Sequence, residues 1–169
     1  MSITSTPSRR SFLRAAALSS ATILAAPEII FSQTKTEKPP PLAPELVKDF
    51  VIGGHGDLEK VKIMLQKEPG LLNAAWDWKA GDFETAIGGA GHMGRKDIAL
   101  YLLSQGARMD VFVSAMLGRI EILRPTLEAF PNLVTSKGPH GITLMAHAQK
   151  GGEEALAVVE YLRSLGLES

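Results

Sequence analysis

Four segments of this chain line up on a glycine, and that repetition constrains the fold more than any other feature. Gly56–Leu65, Gly94–Leu103, Gly118–Leu127 and, more loosely, Gly152–Leu162 share one order of parts. A glycine closes one helix, an acid stands in the next first turn (Glu59, Asp97, Glu121, Glu153), and apolar residues follow at helical spacing. The glycines are 38, 24 and 34 residues apart, a period near 33 with one insertion and one deletion. A single helix–turn–helix unit cannot bury its apolar stripe, whereas stacked neighbours can. The pattern therefore predicts a mostly α chain built as a stack. The small residues Ala90, Gly91, Ala115 and Ala148 fall where paired helices approach closely, and Glu153, Glu154, Glu160, Arg163 and Glu168 suit a polar cap on the last unit.

The pattern G-x-T-P-L-H-x-A-A-x-x-G-H-x-E-V-V-K-L-L-L-x-x-G-A-D-x-N is that of the ankyrin repeat. Thr85 to Gly94 resembles its first helix, Ile98 to Leu103 its second, and Gly106 to Asp110 its exit. Gly141 to Ala148 resembles another first helix, and Pro69 to Asn73 and Pro131 to Thr135 look like the exit variant P-x-L-V-N. The resemblance covers Glu45 to Gly166 and implies an ankyrin-type solenoid of about four repeats, near 44–74, 75–108, 109–135 and 136–169, with short β-hairpin fingers. It also implies a protein-binding module that acts through its concave groove and finger loops. The departures carry expectations of their own. Ala86 and Leu144 stand where the family has proline. Pro125 lies inside a second helix, where it is expected to kink or shorten it. Asp110 to Ala115 leaves no room for a finger, so one is lost. Asn73 to Thr85 is lengthened and carries Trp76, Trp78 and Phe83.

Ahead of this domain, Ser8 to Arg14 places Arg9 and Arg10 before Phe12 and Leu13. This resembles a twin-arginine export signal. The uncharged run from Ala15 to Ala26 is 12 residues long, short of the roughly 20 needed to span a bilayer. The expected organisation is a signal at 1–32, a Pro-rich linker at 33–43 and the repeat domain at 44–169. Cleavage near Ala25, cleavage near Ser32 and retention as a tether all remain open. Ile29 to Phe31 extends the apolar run, but Glu28 interrupts it. The resemblance implies a periplasmic or otherwise exported protein, carried out already folded.

Composition excludes several classes. Without the first 32 residues the chain carries 15 basic and 17 acidic residues, which is no footprint for nucleic acid or anionic lipid. It has no cysteine, hence no thiolate metal site, iron–sulfur cluster or thiol nucleophile. Gly88 to Gly94 lacks the strand and the Lys-Ser/Thr of a phosphate loop. Ser104, Ser114 and Ser136 have no nucleophile-elbow setting. No catalytic residue and no cofactor is expected. The four histidines, His55, His92, His140 and His147, show no ligand spacing. Helix axes about 8–10 Å apart put histidines of successive repeats too far from a shared ion, so no metal is expected, and Asp82 and Glu84 are expected in solvent.

The partner-binding candidates are Trp76, Trp78, Phe83, His92 and His147, the two histidines facing the groove. The tryptophans have two readings, contact residues on an exposed finger or a cover folded over the helix ends. The sequence thus predicts a monomeric, exported protein-binding module with no membrane segment after signal removal. An export or assembly accessory carried with a folded enzyme, and an enzyme with an unrecognised site, are the alternatives.

Overall fold

The computed structural model describes residues 39–168. The arginine pair, its apolar run and most of the linker lie outside the described residues. What is described is mostly helical, with one small two-stranded sheet.

Helix α1 (Pro44–Gly54) starts on a proline, at a position whose N–H has no helical partner, with Glu45 in the first turn. Asp57 caps α2 (Leu58–Lys67) by accepting the Lys60 N–H at 2.9 Å. A 3₁₀ turn, Pro69–Asn73, leads into β1 (Ala75–Asp77), which pairs antiparallel with β2 (Phe83–Thr85) and sets Trp76 opposite Glu84. Thr85 ends the hairpin and caps α3 (Ala86–Met93), and Gly94 closes that helix in the left-handed conformation, φ 70°. Next come α4 (Lys96–Ser104), α5 (Val111–Met116) and α6 (Ile120–Ala129). Two 3₁₀ turns, Pro131–Thr135 and Pro139–Gly141, precede α7 (Leu144–Lys150), and Gly152–Ala155 leads into α8 (Leu156–Ser164).

The helices associate as consecutive pairs, α1 with α2, α3 with α4, α5 with α6 and α7 with α8. Their first members pack in series, α1 on α3, α3 on α5 and α5 on α7. Phe50, Val61, Leu71, Ile98, Leu102 and Met116 form one buried cluster, and Leu123, Leu127, Leu144, Val158 and Leu162 form a second. Contact between neighbouring pairs is close enough to require glycine. A Cβ on Gly151 would lie 2.1 Å from the Met116 carbonyl oxygen.

The two irregular stretches of the sequence, Asp110 to Ala115 and Asn73 to Thr85, take different forms. Asp110 directly caps α5, accepting the Val113 N–H at 2.8 Å. The hairpin β1–β2 occupies the stretch between Asn73 and Thr85. Pro125 does not end its helix, since α6 runs 10 residues through it. Pro125 and its turn-mate Glu121 both face solvent, so water can satisfy the carbonyl that the missing N–H leaves free. Among the described residues no helix is long and apolar enough to cross a membrane.

Candidate functional site

Strand alternation builds the site. Successive side chains of a strand point to opposite faces, so Phe83 is 62% exposed while Glu84 is 1% exposed. Glu84 is therefore a buried carboxylate, contrary to the solvated position expected for it. Burial is tolerated because the carboxylate is ringed with donors. Trp78 donates its indole N–H to Glu84 Oε2 at 2.7 Å. His92, in the last turn of α3, brings Nε2 to 2.9 Å from Glu84 Oε1. His55, just past α1, brings Nε2 to 3.3 Å from Glu84 Oε2. His140, on the turn before α7, brings its Nε2 to 3.4 Å from the same oxygen.

Outer partners hold these rings. His55 Nδ1 donates to the Val51 carbonyl, one helical turn back, at 3.0 Å. His140 donates its Nδ1–H to Asp82 Oδ2 at 3.0 Å and its backbone N–H to Asp82 Oδ1 at 2.9 Å. His140 adopts a left-handed backbone, φ 58°, which is sparsely populated by side-chain-bearing residues. The hairpin turn beside the site is tied by Asp77, which accepts from the N–H groups of Lys79 and Gly81.

The electrostatics follow from this ring. Burial alone pushes the Glu84 carboxyl up. Hydrogen bonds from His55, His92 and Trp78, with the His55 charge, outweigh it and hold the group well below the usual carboxylate range. The Glu84 hydrogen bond raises His55 above the ordinary histidine value, against burial. Burial lowers His147.

Two expectations are corrected here. Histidines of successive helix pairs do meet: His55 Nε2 and His92 Nε2 are 3.2 Å apart. The axis-to-axis estimate ignored the reach of two side chains leaning toward each other. His147 is not a surface contact, being 1% exposed. Its Nδ1 donates to the Thr143 carbonyl at 2.8 Å, and its Nε2 is buried without a hydrogen-bond partner. Trp76 and Trp78 are half-buried and pack against the first core cluster, with the Lys48 ammonium 5.4 Å from the Trp76 ring centre. Phe83 alone of the five candidates stands well out in solvent. Beside it lies a cavity of about 290 Å³ lined by Phe83, Thr85, Phe112, Lys137 and Pro139.

Sequence reasoning missed His55, Glu84 and His140 as a group. The signal available was the alternation in β2, which turns Glu84 inward wherever Phe83 is outward. A comparison of the chain with models of known protein families gives no match, and a search of curated protein sequences gives none either.

Proposed function

We propose that this chain is an exported ankyrin-type module that binds another protein on the finger side of its stack. The observation that carries the reading is Phe83. It is a large aromatic on the outer face of the lengthened hairpin, 62% exposed, and the core makes no use of it. It borders the 290 Å³ cavity walled by Phe112 and Pro139 with Lys137 at its edge. An exposed aromatic beside a recess that mixes Phe112 and Pro139 with Asp82, Asp110 and Lys137 offers an apolar anchor with polar partners around it, as contact hot spots do. The ordered repetition of helix pairs supports the ankyrin-type reading, and the arginine pair supports export.

The test begins with affinity capture from the exported fraction using the full chain, followed by affinity measurement with the retained protein. Phe83→Ala is expected to weaken binding by about 2 kcal/mol while changing stability by no more than about 0.5 kcal/mol. Trp78→Ala is expected to do the reverse. It removes packing and a donor from buried Glu84, so it lowers the melting temperature while affinity per folded molecule is kept. Unchanged affinity in Phe83→Ala would retire the proposal.

A further inference from the structure

The geometry points to a binding site for one divalent transition-metal ion of the zinc class, held by His55 Nε2, His92 Nε2, His140 Nε2 and the Glu84 carboxylate. This goes beyond protein recognition and stands independently of it.

The first argument is the direction of the lone pairs. A carbonyl or carboxylate oxygen only accepts, so the Nδ1 atoms facing Val51 and Asp82 carry the protons. With Nδ1 protonated, the rings of His55 and His140 each turn Nε2 inward, where that atom either donates a second proton to Glu84 or, once the proton is lost, offers a lone pair. These nitrogens face a carboxylate at 3.3 and 3.4 Å, and the His55 nitrogen also faces His92 Nε2 at 3.2 Å. Acceptors converging at such distances repel unless protons or a cation lie between them. A single cation answers all of them at once.

The second argument is size. Four ligands at about 2.0–2.1 Å in a tetrahedron are separated from one another by about 3.3–3.4 Å. Three of the six edges, at 3.2, 3.3 and 3.4 Å, match that length, His92 approaches the other Glu84 oxygen at 2.9 Å, and all four donor atoms lie within 4.8 Å of one another. The third is the outer shell. Metal-bound histidines characteristically donate their other N–H to a carbonyl or carboxylate, as His55 does to Val51 and His140 to Asp82. Trp78 fixes the Glu84 carboxylate in the same manner. Three imidazoles with one carboxylate suit zinc, copper, nickel or cobalt rather than calcium or magnesium, which prefer oxygen.

The ligands come from the end of α1, strand β2, helix α3 and the turn before α7. Four protein ligands fill a tetrahedron, so the ion acts as a cross-link between the first, second and fourth helix pairs, in a chain that has no cysteine to form a disulfide. Binding to the folded state alone raises stability by mass action.

The test uses the full chain, stripped with chelator and titrated with Co(II) as an optical probe. Expected are one equivalent bound, the intense visible absorption of a tetrahedral N/O site, its loss on addition of zinc, and a higher melting temperature with either ion. His140→Ala, at a partly exposed turn, should weaken Co(II) binding by more than about 100-fold, and Asp82→Asn by about 10–100-fold. Both should keep the metal-free circular dichroism of the parent. If His140→Ala fails to fold, Asp82→Asn decides. Absence of the tetrahedral spectrum in the parent chain, or unaltered Co(II) affinity in the folded variants, would overturn the assignment.

Discussion

Leu102→Ala is expected to destabilise the domain by about 2–5 kcal/mol, the cost of a cavity in a close-packed core. Leu102 is completely buried on α4, in the cluster that joins the first three helix pairs. Leu100, two residues earlier on the same helix, is 47% exposed. Leu100→Ala should therefore change stability by no more than about 0.5 kcal/mol. The pair controls for helix propensity, because both replacements put the same residue into one helix. Urea unfolding with a common m-value reads the difference directly. Equal losses at the two positions would contradict a core formed between stacked pairs.

Gly151→Val is expected to be as damaging, at about 3 kcal/mol or more, the upper end of what overpacking costs. The obstacle is backbone rather than a yielding side chain. A Cβ at Gly151 meets the Met116 carbonyl oxygen at 2.1 Å and Ala155 Cβ at 2.6 Å, so the third and fourth helix pairs must separate. Gly152 is the control. Its φ of +61° is strained for an alanine, but nothing lies within 4 Å of its Cβ position. Gly152→Ala should cost only about 1–2 kcal/mol, the penalty of the left-handed conformation. Thermal unfolding of both variants separates steric overlap from backbone strain, and a milder effect at Gly151 than at Gly152 would be inconsistent with the close contact described.

The helical framework was legible because it rests on local signals that repeat. Glycine at 94, acids in the first turns and apolar spacing in Ile98 to Leu103 each specify a feature without reference to distant residues. The hairpin was legible as a surplus between Asn73 and Thr85. The polar cluster was not, because its members are contributed by positions 55, 84, 92 and 140, and only the stacking brings them within a few ångströms. Two of its parts had sequence signals. Glu84 must face opposite to Phe83 on a short strand, and His55 and His92 both stand shortly before the turn glycines of successive pairs. The approach of His140 had no local signal, since it depends on a left-handed turn tied to Asp82 58 residues away. Pro125 is the opposite case. The local rule holds, but solvent at that face lets the helix continue past the missing N–H.

The central claim is that histidines from separate helix pairs meet at buried Glu84. Its most direct test is a titration of the metal-free full chain, following each imidazole by NMR. His55 is held up chiefly by its hydrogen bond to Glu84, so its midpoint should lie above the ordinary 6.5. His147 is held down chiefly by burial, so its midpoint should lie below 6.5. In Glu84→Gln the charge and the strong acceptor are gone while burial remains, so the His55 midpoint should fall. A His55 that titrates together with His147 near 6.5, unmoved by Glu84→Gln, would contradict the site.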